Sequence, residues 1–193
     1  MLLEAQPRWW ARPPSRPDRR PGVRPGDPVA SPGKEAGIDD SRLRRDLLEL
    51  LEGRSAHGGI EAAFAGLRPE QRVDRSAGEG HTIWELLEHL RIAQEDILRY
   101  TLEPGWTSPK FPEGYWPEVE TPSEEQWQAS LEAFLSDLEE VRALVADPQR
   151  DLTAEIPHGE GRSSLREVLL VANHNAYHLG QVVEIRRRLG SWT

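Results

Sequence analysis

Residues 164–190, with the sequence SLREVLLVANHNAYHLGQVVEIRRRLG, carry the clearest helical pattern in the chain. Ser164 opens the segment at a position that suits the start of a helix. The positive charges of the arginines at 186–188 are stabilising near the C-terminus of a helix, where the helix dipole is negative, and Gly190 suits a left-handed C-cap. The stretch therefore predicts one long helix that begins at Ser164 and ends at Gly190.

Three further segments carry amphipathic patterns of the same kind. Each has apolar residues in steps of three and four and opens on a residue that can cap a helix. In two of them the first four residues form a capping box, Thr82–Glu85 and Ser123–Gln126, and the remaining segment opens at Ser41. Alternating strand patterns are missing. Four helices with one apolar stripe each are best buried in a bundle, so we predict an all-α, antiparallel four-helix bundle.

The first 38 residues differ in composition from the rest of the chain. They hold 8 of the 16 prolines, and their six arginines and one lysine against four acids give a net charge of +3. Such a stretch buries too little apolar surface to offset its ordering entropy. We predict a disordered tail over 1–38 and a folded domain over 39–193. A basic tail that contacts phosphates or acidic partners, and a translation start further downstream, are the alternatives.

The composition excludes several classes of protein. Asp+Glu 33 against Lys+Arg 24 gives a net charge of −9, which argues against nucleic acid or an anionic membrane as a partner. The chain has no cysteine, and therefore no disulfide and no cysteine nucleophile. No apolar run approaches the roughly 18 residues of a membrane helix, and the N-terminus has no signal-peptide pattern. We expect a soluble, cytoplasmic protein.

Three histidines supply the main chemical argument. His174 and His178 are four residues apart, so their imidazoles lie one turn apart on one helix face and can converge on an ion. His89 lies in the middle of the second long helix, on a face that a bundle can bring opposite this pair. Three imidazole ligands leave a metal with open positions for water or substrate, as in catalytic sites. The alternative is a set of hydrogen-bonded core histidines, and spacing alone does not decide between the two.

The connection from Glu103 to Pro122 is long for a small bundle, and loops of this length are often functional. It contains the aromatic residues Trp106, Phe111, Tyr115 and Trp116 among Pro104, Pro109, Pro112 and Pro117. These rings either form an apolar wall beside a metal or anchor a crossover onto the core.

Four other polar residues lie near the predicted ligands in sequence. Asp96, two turns after the histidine of the second helix, is either an acceptor for an imidazole N–H or a solvated helix residue. Gln181, one turn after the last histidine of the fourth helix, either reaches a metal cavity or forms a hydrogen bond across the bundle. His81 and His158 precede the second and fourth helices, where they either line a pocket mouth or are simply exposed.

Three stretches of the chain also carry a family resemblance: HTIWELLEHLRIAQEDIL (81–98), PEGYWP (112–117) and IPHGEGRSSLREVLLVANHNAYHLGQVVEIRRRLG (156–190). Together they resemble the DinB-like (damage-inducible) superfamily of metal-binding four-helix bundles, from about residue 40 to the C-terminus. The most specific part is an H-x3-H-x-G-Q motif with an upstream histidine in E-H-L, here His174, His178, Gly180, Gln181 and His89. The resemblance implies that His89, His174 and His178 bind a divalent metal.

The resemblance further implies a metal-dependent enzyme. Some relatives transfer or isomerise substrates with low-molecular-weight thiols such as bacillithiol or mycothiol, and a metal would lower the pKa of such a thiol. Hydrolysis is the second possibility, and a non-catalytic metal-binding stress-response protein is the alternative. Imidazole ligands suit zinc, nickel, copper or iron, of which we expect zinc or nickel. The expected partners are a small-molecule substrate and a second copy of the chain in a homodimer.

Overall fold

The computed structural model describes residues 39–53, 58–76, 78 and 80–192. The predicted tail over 1–38 lies outside the described residues. Within them the chain forms six α-helices and one 3-10 turn: α1 (Asp40–Glu52), α2 (Ile60–Phe64), α3 (Pro69–Arg72), α4 (Ile83–Leu102), the turn (Glu113–Tyr115), α5 (Glu124–Ala146) and α6 (Ser164–Arg188). This part of the chain has no β-strand, which confirms the all-α prediction. None of its helices is both long and apolar enough to cross a membrane.

Capping chemistry accounts for most of the helix boundaries. Both predicted capping boxes are present, at Thr82–Glu85 before α4 and at Ser123–Gln126 before α5. At α1 the N-cap is Asp39 instead of Ser41, because the Asp39 carboxylate accepts from the amide of Arg42. α3 begins at Pro69, and proline suits the first position of a helix because it lacks an N–H that would be unpaired there.

The four long helices form the predicted bundle, in which α1 and α4 each pack against both α5 and α6. One pair differs from a fully antiparallel arrangement, because α4 and α5 run in the same direction. The ring of Trp84 lies 6.3 Å from that of Trp127, and further along Gln94 donates to the Phe134 carbonyl at 2.7 Å. Since α5 starts beside the first turn of α4, the chain must return along α4 before α5 can begin. The long 103–123 segment is this crossover.

A buried polar chain fixes α4 against both of its neighbours. Asn175 of α6 donates to Gln94 at 2.9 Å, and Gln94 in turn donates to the carbonyl of Phe134 in α5. All three side chains are buried in the apolar core. Because buried polar groups are costly unless they are paired, these bonds favour one register of the three helices. That register also places the histidines of α4 and α6.

A buried arginine joins α1 to the end of α5. The guanidinium of Arg44 donates to the carbonyls of Val145 at 2.6 Å, Asp147 at 2.8 Å and Arg150 at 2.6 Å. Carbonyls at a helix C-terminus have no partner within the helix, so a cation there satisfies them and opposes the negative end of the dipole. Asp40 accepts from the same guanidinium at 2.7 Å.

Candidate metal centre

Three imidazoles from two helices meet in the interior of the bundle. His89 projects from the middle of α4, and His174 and His178 project from successive turns of α6. Each is at most 8% exposed. One ring nitrogen from each of the three lies within 4.8 Å of the others, and Nε2 of His89 is 3.1 Å from Nε2 of His174. The structure therefore brings together the three residues that the sequence singled out.

Hydrogen bonds set the tautomer of two of these rings. Nδ1 of His89 lies 2.9 Å from the carbonyl oxygen of Tyr115, and Nδ1 of His178 lies 2.7 Å from Oε1 of Gln181. Both oxygens only accept, so each Nδ1 carries the hydrogen and donates it. Each Nε2 is left with its lone pair toward the cluster. Partners of this kind orient imidazole ligands and raise their basicity.

The electrostatics of the cluster keep the rings neutral. Burial is the main reason that the pKa of His89 is lowered to about 4 and that of His174 to about 2, and nearby imidazoles act in the same direction. Burial also lowers the pKa of His178. All three imidazoles are consequently neutral at pH 7, which is the form that binds metal ions.

The spacing of the His89 and His174 nitrogens fits a first-row divalent ion. With metal–nitrogen bonds of about 2.0–2.1 Å, two imidazole nitrogens stand about 3.3 Å apart at tetrahedral angles and about 3.0 Å apart at octahedral angles. The 3.1 Å between the facing Nε2 atoms of His89 and His174 falls in this interval. A buried, neutral set of three nitrogen donors is compatible with metal binding and would leave coordination positions open.

A family model described as the DinB superfamily matches residues 54–182. The chain belongs to the DinB superfamily. This confirms the resemblance seen in the sequence, and the matched range contains His89, His174, His178 and Gln181. Comparison with curated proteins and with solved structures found no match.

In this DinB superfamily chain the 103–123 crossover forms one wall of the histidine cluster. The indole of Trp116 stacks on the imidazole of His89, with ring centroids 4.2 Å apart and planes 9° apart. His81 stacks on the same indole at 3.9 Å. The exposed ring of Tyr177 lies 4.9 Å from that of His178. Aromatic rings therefore border two of the three imidazoles.

The crossover is also anchored to the bundle. Its aromatic residues therefore do both things that the sequence left open: they form a wall beside the histidines and they hold the crossover on the core. Trp106 Nε1 donates to Asp96 at 2.8 Å, and the hydroxyl of Tyr115 donates to the other carboxylate oxygen at 2.6 Å. Trp84 Nε1 donates to the carbonyl of Val119 at 2.7 Å. Asp96 is thus neither an imidazole acceptor nor a solvated residue: it binds the loop of this DinB superfamily chain.

The remaining predicted residues take different places in the DinB superfamily fold. Gln181 accepts from Nδ1 of His178 one turn earlier on α6, so this hydrogen bond is to a cluster histidine of its own helix and not across the bundle. His158 lies beside the end of α4, where its Nε2 is 2.9 Å from the carbonyl of Tyr100. Sequence reasoning missed that the backbone carbonyl of Tyr115 accepts from His89, because every residue type has a backbone carbonyl. The aromatic, proline-rich composition of the loop was the only indication in the sequence that this segment contacts the site.

Proposed function

We propose that this DinB superfamily chain is a divalent-metal-dependent enzyme in which His89, His174 and His178 hold the ion. The observation that carries the proposal is the buried, neutral cluster of three imidazoles, two of which have a fixed Nδ1–H tautomer. A core histidine needs neither a second nor a third imidazole within 4.8 Å. Desolvating three such rings together is costly, and an ion that binds all three offsets that cost.

The chemistry we propose is thiol-dependent group transfer on a small-molecule substrate. A divalent ion supplies Lewis acidity and lowers the pKa of a thiol or a water molecule that reaches it. The chain has no cysteine, so a thiol nucleophile must come from a low-molecular-weight cofactor of the bacillithiol or mycothiol type. The chain's own residues hold His89 and His178 in one tautomer, and the Trp116 ring covers one face of His89. Zinc and nickel suit the three nitrogen donors.

The second candidate reaction is hydrolysis at the same centre, and the non-enzymatic alternative is a bundle whose metal only stabilises the fold. As the resemblance implies, we also propose a homodimer, for which size-exclusion chromatography with light scattering is the test. The absence of cysteine supports our proposal of a cytoplasmic location.

Elemental analysis of the purified full chain, as isolated and after reloading with zinc or nickel, tests the metal centre. We expect about one ion per chain, lost in His89→Ala and His174→Ala and kept in His158→Ala, which removes a histidine outside the cluster. Absence of metal even after reloading would refute the site and the enzyme with it.

Activity separates the candidate functions once metal is bound. Thiol-transfer and ester- or amide-hydrolysis substrates are offered to the loaded protein with and without a thiol. An enzyme loses turnover in His174→Ala, whereas a structural site only lowers the melting temperature in that variant.

A further inference from the structure

The carboxylate of Asp96 has both of its oxygens occupied by the crossover loop. Oδ1 accepts from the indole N–H of Trp106 at 2.8 Å, and Oδ2 accepts from the hydroxyl of Tyr115 at 2.6 Å. Hydrogen bonds to an ionised carboxylate are stronger than those between neutral groups. One residue of α4 therefore holds two aromatic side chains of the loop.

Tyr115 connects this carboxylate to the metal centre. Its hydroxyl binds Asp96, and its backbone carbonyl accepts from Nδ1–H of His89 at 2.9 Å. Asp96 and His89 lie on the same helix about two turns apart, so the tyrosine spans them along the surface of α4. With both ends bound to one rigid helix, the carbonyl of Tyr115 has little freedom to leave His89.

The residue after Tyr115 depends on the same anchor. Trp116 follows directly in the chain, and its indole stacks on the imidazole of His89 at 4.2 Å. The loop thus supplies two contacts to one ring: an acceptor in the ring plane, which sets the tautomer, and a flat aromatic face, which sets the tilt. Neither contact comes from an α-helix of the bundle, so both require that the loop be held in place.

We propose that Asp96 is a positioning residue of the metal centre: by holding Tyr115 it fixes the tautomer and orientation of His89. This inference rests on the proposed metal site and adds a residue that touches none of the three imidazoles. Hydrogen-bond partners beyond the ligands are worth about 10- to 100-fold in metal affinity in characterised sites.

The test uses Tyr115→Phe, which removes the hydroxyl and leaves the ring and the backbone carbonyl in place. Asp96→Asn replaces one of the two accepting oxygens with an NH₂ group that cannot accept. The matched control is Tyr100→Phe, since the Tyr100 hydroxyl is buried in α4 and has no hydrogen-bond partner among the described residues. All three variants are made in the full chain, and far-UV circular dichroism checks their helix content.

Two measurements are made on each variant. Competition of zinc with a chromophoric chelator gives the affinity, and cobalt substitution gives a visible spectrum that depends on ligand geometry. We expect about tenfold weaker zinc binding and an altered cobalt spectrum in Tyr115→Phe and Asp96→Asn, with both unchanged in Tyr100→Phe. Nitrogen-15 NMR of the metal-free protein is expected to show Nδ1–H in His89 of the parent chain and a mixture of tautomers in the first two variants.

The NMR measurement keeps this inference separate from the metal proposal. If the parent chain binds no zinc or cobalt, the metal site fails, while the tautomer of His89 still reports whether Asp96 positions the ring. Parental zinc affinity and an unchanged His89 tautomer in both Tyr115→Phe and Asp96→Asn would overturn the positioning role. Equal weakening in Tyr100→Phe would also overturn it, because the effect would then follow from any tyrosine substitution.

Discussion

Acidification tests how deeply the histidine cluster is buried. In the folded protein the pKa of His89 is about 4 and that of His174 about 2, both lowered mainly by burial from an ordinary value of 6.5. The folded state therefore keeps both rings neutral, while the unfolded chain binds protons as the pH falls through 6.5. Stability contributed by the neutral rings is complete above pH 6.5 and is lost as the pH falls toward the folded pKa values.

The size of the effect follows from the shifts. Each proton that only the unfolded state binds lowers the free energy of unfolding by roughly 1.4 kcal/mol per pH unit. For His89 and His174 together, we expect the metal-free protein to lose about 3 kcal/mol between pH 7.5 and pH 5.5. The pKa of His178 is lowered as well and adds in the same direction. Carboxylates contribute little here, because they titrate near pH 4.

Urea unfolding of the metal-free protein, followed by far-UV circular dichroism at pH 7.5, 6.5 and 5.5 with a chelator present, measures this loss. His174→Gln is the matched control, since it removes one of the three titrating rings and should lower the pH dependence by about a third to a half. A free energy of unfolding that stays constant over this range would refute the reasoning, and so would an undiminished dependence in His174→Gln.

Two further substitutions test contacts on either side of the cluster. Gln181→Leu removes the acceptor of the His178 Nδ1–H, so we expect about tenfold weaker zinc binding by chelator competition; parental affinity would show that this bond does not orient the ligand. Arg44→Met removes hydrogen bonds to three carbonyls at and beyond the end of α5 and keeps most of the apolar stem. We expect the free energy of unfolding in urea to fall by about 3 kcal/mol, and a loss below about 1 kcal/mol would mean that water replaces the guanidinium at little cost.

Local chemistry made much of the fold predictable. The capping boxes at Thr82–Glu85 and Ser123–Gln126 start α4 and α5 where the sequence indicates. Each depends on side chains that bind amides within the same turn, so three or four consecutive residues contain the information. The apolar steps of three and four similarly report which face of each helix is buried.

The candidate site was predictable only in part. His174 and His178 share a helix, so their common face follows from their spacing. The choice of His89 needed a family resemblance, because an amphipathic stripe specifies what is buried and leaves open which neighbour buries it. The same limitation explains the direction of α5: a helix pattern is identical whether its neighbour runs parallel or antiparallel.

Sequence alone determined the four long helices, the capping boxes that start α4 and α5, and the common face of His174 and His178, because each follows from contacts within a few residues. The ends of other helices shifted by up to two residues, since α1 is capped by Asp39 and α6 ends at Arg188. Tertiary structure decided the parallel α4–α5 pair, the 3.1 Å approach of His89 to His174, and the use of Asp96 to hold Tyr115. These contacts join residues distant in the chain or involve a backbone carbonyl, whose position depends on the path of the whole crossover. Their energies come from burial and hydrogen bonding in the assembled bundle, so no pattern within a short stretch of sequence predicts them.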